Sequence, residues 1–266
     1  MTRLQLSRVS VHFGQAQIVR DVSLDVPGGE WLGLVGPNGA GKTTILSAIA
    51  GAVDHAGSVI IGERDAATMS SRDRARHIAL VPQRPALPAG MSAAEYVLLG
   101  RTPHIRYLDT ETKRDRRIAA ESMERLGITH LASRPLGALS GGEQQRVVLS
   151  RALAQQARVL LLDEGTTALD IGAQQEVLEL VDDLRSSEGM TVLSAMHDLT
   201  FAAQYAARLA LVSGGRLVAC GPPDELLTPE VIFEHYRAFV LVSKHPYGMV
   251  VSPTRHQAAG KGVRGA

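Results

Sequence analysis

The sequence is almost free of cysteine, because Cys220 is the only one in 266 residues. A single cysteine excludes an intrachain disulfide and favours a reducing compartment. Small secreted scaffolds that depend on disulfides are therefore excluded as a class. Cys220 ends a short strand-like run at 216–220, so we expect its side chain to be buried as a small hydrophobic group.

Long hydrophobic runs and a strong charge imbalance are also missing. No apolar run approaches the roughly 18 residues that would indicate a membrane span. Residues Met1 to Phe13 lack the long apolar core of a signal peptide. The formal net charge is +1, so the composition gives no argument for nucleic acid as a partner, and we expect none. We expect a soluble protein that stays where it is made and reaches a membrane only through a partner.

Glycine is plentiful by contrast, and one glycine-rich stretch organises the chain: Gly36-Pro37-Asn38-Gly39-Ala40-Gly41-Lys42-Thr43-Thr44. It matches the P-loop pattern of glycine, four residues, then Gly-Lys-Ser/Thr. The apolar run Trp31 to Val35 before it predicts a buried strand. After it, Ile45, Leu46 and Ile49 recur at helical spacing. Strand, loop and helix in this order form the framework that a phosphate-binding loop needs.

The chemistry of this stretch favours a triphosphate. Glycines let successive backbone N–H groups converge on an anion, and the helix N-terminus adds its unsatisfied N–H groups and dipole. We expect Lys42 to reach the β- and γ-phosphates and the Thr43 hydroxyl to ligate Mg²⁺. The glycine spacing is not the Gly-x-Gly-x-x-Gly of a dinucleotide-binding loop. We therefore predict a nucleoside triphosphate site with Mg²⁺ as its metal.

The flanking patterns predict an α/β fold of the P-loop NTPase class. Alternating apolar residues in Leu4 to Phe13 and in Val22 to Val26 predict two-faced strands, with a bulge where the first changes phase. Together with the buried strand they predict a parallel core sheet and an N-terminal antiparallel β subdomain. Helical periodicity predicts a helical insertion at about residues 84–152. We expect a single domain over residues 1–250 and a mobile tail over 251–266.

Polar residues follow three of the other predicted strands. A wholly apolar run ends in Asp163 and Glu164, at the carboxyl edge of the parallel sheet where ligands bind. Asp163 suits Mg²⁺, directly or through water, and Glu164 suits a general base for water. The strand Thr191 to Ala195 delivers His197 to the same edge, where it could contact the γ-phosphate or the attacking water. Gln83 also follows a strand, although a glutamine in that place is unremarkable by itself.

A second candidate anion site lies at Ser140-Gly141-Gly142-Glu143. Ser140 is a good N-cap, and Glu143 stands three residues later, as in a capping box. Two glycines directly after a cap cost helix stability. Their presence indicates that a second backbone or a phosphate approaches closely.

Phe13 is a candidate for stacking on the adenine ring. It precedes Gly36 by a little over twenty residues. Two alternatives stay open: Phe13 is simply the inward end of its strand, or His12 takes the stacking role.

Together these motifs resemble the ATP-binding-cassette family of transport ATPases over nearly the whole chain. The similar segments are Gly36 to Thr44 (Walker A), Gln83 (Q-loop), Leu139 to Arg146 (signature motif), Val159 to Glu164 (Walker B), Ala168 to Asp170 (D-loop), His197 (switch histidine) and Phe13 (adenine stacking). The signature motif is the specific one, because a Walker A loop alone is shared with other P-loop enzymes. The resemblance implies ATP hydrolysis with Mg²⁺, and Gln83 joins Thr43 and Asp163 at the metal. Gly165 departs from the family, which usually has proline there, and loosens the turn after Glu164.

The resemblance also implies an assembly. Two cassettes of the family sandwich two ATP molecules head to tail, so Ser140, Gly141 and Gly142 complete the partner's site. We expect a homodimer that acts on membrane permease subunits, and indirectly on an external substrate-binding protein. The chain would be cytoplasmic and peripheral to the inner face of the membrane.

Weaker similarities indicate the subfamily. Gly100 to His104, Leu169 to Ile171 and His197 to Tyr205 resemble importer cassettes for iron–siderophore complexes, haem and cobalamin. We expect a ferric siderophore as the first choice of cargo, with cobalamin or haem second. The permease is expected to dock on Gln83 to His104, with Arg101 and His104 in the contact.

Three alternative functions remain open at this stage. A non-transport cassette acting on DNA or ribosomes usually carries paired cassettes or a coiled-coil insertion, and neither is present. A regulatory cassette that binds ATP without hydrolysing it is disfavoured by the intact Glu164 and His197. A cassette for another transported substrate is the third alternative.

Overall fold

The computed structural model describes residues 1–163, 171–246 and 248–255. Its strands, numbered along the chain, are β1 (Leu4–Phe13), β2 (Ala16–Val26), β3 (Trp31–Val35), β4 (Ala56–Ile61), β5 (Arg64–Asp65), β6 (Ile78–Val81), β7 (Val159–Asp163), β8 (Thr191–Ala195), β9 (Arg208–Ser213), β10 (Arg216–Gly221), β11 (Val240–His245) and β12 (Gly248–Pro253). Its α-helices are α1 (Lys42–Ala50), α2 (Ser71–His77), α3 (Ala93–Leu98), α4 (Lys113–Arg125), α5 (Gly141–Ala154), α6 (Ile171–Glu188), α7 (Leu199–Tyr205), α8 (Pro223–Leu226) and α9 (Pro229–Tyr236). Short 3₁₀ segments, of which Leu99–His104 is the longest, join some of these elements.

The central sheet has six strands in the order β10-β9-β3-β8-β7-β6. Strands β6, β7, β8, β3 and β9 pair in parallel, and β10 pairs antiparallel at the edge. Strands β3, β7 and β8 are buried along their whole length. Burial on both faces explains why β3 and the residues of β7 before Asp163 contain no polar side chain, whereas β8 buries Thr191 and Ser194 as well. The predicted parallel core is therefore confirmed.

A second sheet, with the order β2-β1-β4-β5, is antiparallel throughout. The pairing of β1 with β2 shifts register between Leu6 and Val9, where the alternation of the sequence changes phase. Arg8, inside this irregularity, has a φ of +49°. The predicted antiparallel subdomain and its bulge are confirmed.

The two faces of the central sheet build two separate hydrophobic clusters. On one face Leu32 and Leu34 of β3 join Ile45 and Leu46 of α1 and Leu6 of the antiparallel sheet. The other face packs against the helices that follow β6, through the set Trp31, Val35, Leu160, Leu162, Tyr96, Met123 and Leu149. Ala40 of the loop that joins β3 to α1 belongs to the first of these clusters, so the loop is anchored on that face of the sheet.

Helices α3, α4 and α5 lie between β6 and β7 in the chain. Each begins with a capping box, formed by the pairs Ser92 and Glu95, Thr112 and Asp115, and Ser140 and Glu143. In such a box the side chain at the cap and the one three residues on each accept a backbone N–H, so each start is fixed locally. No helix within the described ranges has the length and apolar character to cross a membrane.

One expectation about the C-terminal region was wrong. Cys220 is exposed, because β10 is the edge strand of the central sheet, and Nη1 of Arg208 lies 3.9 Å from its Sγ. Ser252 and Pro253 belong to β12, which pairs with β11 as a hairpin, and the mobility of the expected tail stays a prediction. Residues 256–266 lie outside the described residues.

Candidate functional site

The loop between β3 and α1 has a shape that only glycine allows at some of its positions. A Cβ on Gly36 would lie 2.0 Å from the carbonyl oxygen of Val212 in β9, so only glycine fits against that strand. Gly41 has a φ of +103° and caps α1 without any side-chain hydrogen bond. The first N–H groups of α1 consequently face the loop with no side chain folded over them, which suits an anion.

Lys42 lies within this loop and is only 4% exposed. Its Nζ donates to the carbonyl oxygen of Gly36 at 2.7 Å and to that of Pro37 at 3.2 Å. These bonds hold the ammonium group inside the curve of the loop. A buried ammonium beside converging backbone N–H groups is a positive site that fits phosphate oxygens.

Thr43 and Asp163 bring oxygen ligands together beside the loop. The Thr43 hydroxyl donates to Oδ1 of Asp163 at 2.8 Å, which links the start of α1 to the end of β7. A hydroxyl and a carboxylate are the hard oxygen donors that Mg²⁺ prefers, so this pair fits the predicted metal. In the parts of the chain that the structure describes, no three His, Cys, Asp or Glu side chains cluster as a metal site.

The predicted residues of four elements meet in one cleft of about 350 Å³. Its lining is Ile18, Asn38, Gly39, Ala40, Gly41, Lys42, Thr43, Thr44, Gln83 and His197. The strand order β3-β8-β7-β6 explains this convergence, because adjacent parallel strands deliver the loop, His197, Asp163 and Gln83 to the same edge.

Ile18 is the member of this lining that the sequence analysis missed. It lies in the first half of β2, where the alternation used to predict that strand starts only at Val22. The β-branched pair Ile18-Val19 ahead of Val22 was the available signal for a longer strand. Ile18 gives the cleft a bulky apolar wall.

Phe13 lies outside this cleft lining, at the end of β1. Its side chain is 54% exposed, so the alternative that it is the inward end of its strand was wrong. His12 is exposed as well. The choice between these two side chains for stacking stays a prediction.

The candidate residues of the second anion site lie at the N-terminus of α5, away from the cleft of their own chain. Ser140 caps the helix by accepting from the backbone N–H of Glu143, and Oε2 of Glu143 accepts from the backbone N–H of Ser140 at 2.7 Å. That second bond, with a smaller contribution from the nearby charge of Arg134, lowers the pKa of Glu143.

The two glycines after this cap have open space around them. A Cβ on Gly141 would meet no described atom within 4 Å, and one on Gly142 would meet only Ala173 at 3.9 Å. No described residue of this chain therefore presses on these two glycines. The predicted base Glu164 and the D-loop residue Asp170 lie outside the described residues.

A glycine-rich loop that buries a lysine between strand and helix, at the carboxyl edge of a parallel sheet, defines a P-loop nucleoside-triphosphate-binding protein. The family model described as ABC transporter matches residues 19–167, so the chain belongs to the ABC transporter family. The predicted family is thereby confirmed.

Relatives with several import functions are similar to this chain. The iron(3+)-hydroxamate import ATP-binding protein of Bacillus subtilis is 37% identical over 233 residues, which cover 87% of each chain. The hemin import ATP-binding protein of Gloeobacter violaceus is 42% identical over 251 residues, covering 91% of this chain and 90% of the relative. The cobalamin import ATP-binding protein of Halobacterium salinarum is 40% identical over 252 residues, covering 94% of this chain. The match spans 63% of that last relative's length.

Solved structures agree with the fold. A metal-chelate type ABC transporter in an inward-facing conformation has a TM-score of 0.83 at 26% identity, covering 97% of this chain and all of the matched chain. A dimeric ATP-binding cassette in a post-hydrolysis state with ADP and Pi has a TM-score of 0.73 at 26% identity, covering 83% of this chain and 98% of that one.

Proposed function

We propose that this chain is the ATP-binding and ATP-hydrolysing subunit of an ABC importer that takes up a metal chelate. The observation that carries the proposal is the convergence of the P-loop, Gln83, Asp163 and His197 at one edge of the parallel sheet. The import functions of the relatives support the direction of transport and the class of cargo.

ATP binding rests on the loop at 36–44. Its backbone N–H groups and Lys42 hold the phosphates, and the apolar wall at Ile18 receives the adenine ring together with an aromatic at Phe13. Mg²⁺ would be held by Thr43 and Asp163, with the amide oxygen of Gln83 as a further ligand. When bound, the metal neutralises charge that develops on the phosphates.

Hydrolysis needs a base for the attacking water, and Glu164 is our candidate. It directly follows Asp163 in the sequence, and Asp163 ends β7 at the edge where the phosphates would lie. His197 lines the cleft and contacts the γ-phosphate or the water. Gly165 stands where the family usually has proline, and we expect it to position this base less rigidly than a proline would.

The active form is a head-to-tail homodimer. Ser140, Gly141 and Gly142 stand away from their own cleft with open space around the glycines, which supports a role against the partner's γ-phosphate. Asp170 is proposed at the same interface. A dimeric cassette among the structural neighbours supports this arrangement.

The dimer would act on membrane permease subunits from the inner face of the membrane, with an external binding protein delivering the cargo. A ferric siderophore is the cargo we favour, followed by cobalamin and haem. The similarity to a metal-chelate type transporter over 97% of this chain supports this class. Closure on ATP and opening after hydrolysis would drive the permease.

ATP binding by the purified full chain tests the nucleotide site. Lys42→Ala removes a charge-assisted contact worth about 1.5–3 kcal/mol, so ATP should bind roughly 10- to 100-fold more weakly. Lys113→Ala, an exposed lysine at the start of α4, is the matched control and should bind ATP normally. Equal affinity in the two variants would contradict the assignment of the P-loop.

Glu164→Gln tests the base. The amide keeps the shape of the side chain but cannot accept the proton, so turnover should fall roughly 10²- to 10⁴-fold while ATP binding persists. The ATP-bound dimer should then accumulate as a larger species in size-exclusion chromatography. Near-normal hydrolysis would move the base elsewhere, with His197 as the first suspect.

A further inference from the structure

The turn between β9 and β10 touches two walls of the cleft at once. The backbone N–H of Gly215 donates to the carbonyl oxygen of Ala40 in the P-loop at 3.1 Å. The carbonyl oxygen of Gly215 accepts the backbone N–H of Arg20 in β2 at 2.8 Å. One residue therefore bridges the phosphate-binding loop and a strand of the other sheet.

The bridge leaves no room for a side chain. A Cβ on Gly215 would lie 2.2 Å from the carbonyl oxygen of Ile18 and 3.5 Å from the Cα of Val19. Gly215 also has a φ of +78°, which favours glycine. Its neighbour Gly214 has a φ of +56° too, but a Cβ there would meet nothing within 4 Å.

Gly41 of the P-loop packs against the same residues from the other side. A Cβ on Gly41 would lie 3.2 Å from the carbonyl oxygen of Ile18 and 3.7 Å from the Cα of Gly215. The backbones of β2, the P-loop and this turn thus meet directly, across two different sheets.

The contact matters because the two sheets supply different parts of the cleft. The P-loop and α1 supply the phosphate side, whereas Ile18 of β2 supplies the bulky apolar wall. The hydrogen bonds of Gly215 add to the direct packing of β2 on the P-loop, because each of them ends on one of the two walls.

We infer that Gly215 is a positioning residue, which holds the adenine wall at Ile18 in register with the phosphate-binding loop. This rests on the proposal that the cleft binds ATP. Adding a Cβ at Gly215 displaces β2 and leaves the loop's own phosphate contacts in place. The predicted consequence is a selective loss of the nucleoside contribution to binding.

The experiment compares MgATP with magnesium tripolyphosphate, which has the phosphates but no base. Both are measured on the full chain by displacement of a fluorescent ATP analogue. Gly215→Ala should weaken the affinity for ATP by about tenfold, or about 1.4 kcal/mol, and should leave the affinity for tripolyphosphate within about twofold of the wild type. Gly214→Ala, the matched control with a positive φ but free space, should change neither.

Ile18→Ala is the second variant, and it keeps the test decisive if Gly215→Ala does not fold. It should also weaken ATP selectively, because it removes the apolar wall itself. The inference is overturned if Gly215→Ala binds ATP normally, if it loses both ligands equally, or if Gly214→Ala matches it. Unchanged ATP binding in Ile18→Ala overturns it as well. Failure of the wild-type chain to bind ATP would instead refute the proposed function.

Discussion

Arg101 shows at the scale of one residue how far a sequence prediction can miss. We expected it on the surface that meets a permease, but it is 4% exposed. Its Nε donates to Asp115 at 3.0 Å, and one terminal nitrogen donates to the carbonyl oxygen of Ala154 at 2.7 Å. Arg101 therefore joins three elements of the helical insertion and cannot contact a partner. The pairing with a residue fourteen positions away left no local signal in the sequence.

The Arg101→Ala variant should consequently unfold more easily than the wild type, even with no partner present. Removing one member of a buried ion pair strands the other charge, which typically costs about 3–5 kcal/mol. Arg106→Ala, an exposed arginine five residues later, should change the free energy of unfolding by less than about 0.5 kcal/mol. Urea unfolding followed by circular dichroism measures both, and equal midpoints would show that the buried pair contributes nothing.

Asp115 makes the same pair sensitive to acid. Hydrogen bonds from the Thr112 hydroxyl and, to a smaller extent, from Arg101 lower its pKa from 3.8 to about 2. Because the folded state binds the proton less tightly than the unfolded state, this stabilisation is present above about pH 4 and is lost as pH falls towards 2. It amounts to about 1–2 kcal/mol.

Asp115→Asn should therefore lose less stability between pH 5 and pH 3 than the wild type does. Thr112→Val, which removes the hydroxyl and keeps Arg101, should fall between the two. Urea midpoints at both pH values give the comparison. The same loss in wild type and Asp115→Asn would mean that this carboxylate is not coupled to folding.

At the scale of elements, sequence patterns predicted the features that depend on residues close together in the chain, such as the start of a helix. The start of α5 was predicted from Ser140 and Glu143, because a capping box spans only four residues. The buried residues of α6 are Val177, Leu178, Val181 and Leu184, whose spacing along the chain is helical. The exposure of Cys220 was missed, since it depends on which strand forms the sheet edge. The hairpin of β11 and β12 was missed because its strands are only partly buried and carry no clear alternation.

The segment Leu99–His104 packs against α5 so closely that one glycine is required. A Cβ on Gly100 would lie 2.2 Å from the carbonyl oxygen of Arg151. Gly100→Ala should therefore destabilise the chain by about 1–3 kcal/mol, because the helix backbone must move. Gly90→Ala, where a Cβ would meet nothing within 4 Å, is the control and should unfold like the wild type. Thermal unfolding of both variants tests this prediction. If Gly100→Ala unfolds at the same temperature as the wild type, the segment can move away from α5 at no cost.

At the scale of the whole molecule, the parallel order of the sheet could be predicted only in outline. The apolar runs predicted a buried core, and the P-loop predicted which edge carries the ligand. The contact between Gly215 and Ala40 joins residues far apart in sequence through hydrogen bonds of the backbone. The glycine at 215 permits this contact, but its partners lie far away in the sequence, so no motif could have predicted which backbone it meets.

The proposed dimer makes a prediction at this scale. Ser140→Arg places a long side chain where the partner's γ-phosphate would lie, so ATP should no longer produce the dimer of Glu164→Gln. ATP affinity of the single chain should stay near normal, because Lys42 and the loop amides belong to the same chain. Ser186→Arg, at an exposed position of α6, should leave dimer formation unchanged. A large loss of ATP affinity in Ser140→Arg would indicate that the N-terminus of α5 contributes to the ATP site of its own chain.

Uptake of metal chelates by cells that lack this chain tests the central claim most directly. A deletion strain should fail to import one of three labelled cargoes: a ferric hydroxamate siderophore first, then cobalamin or haem. The wild-type gene should restore uptake, whereas Lys42→Ala and Glu164→Gln should not, because energy for import comes from ATP. Normal uptake of all three cargoes in the deletion strain, or full restoration by Lys42→Ala, would contradict the account.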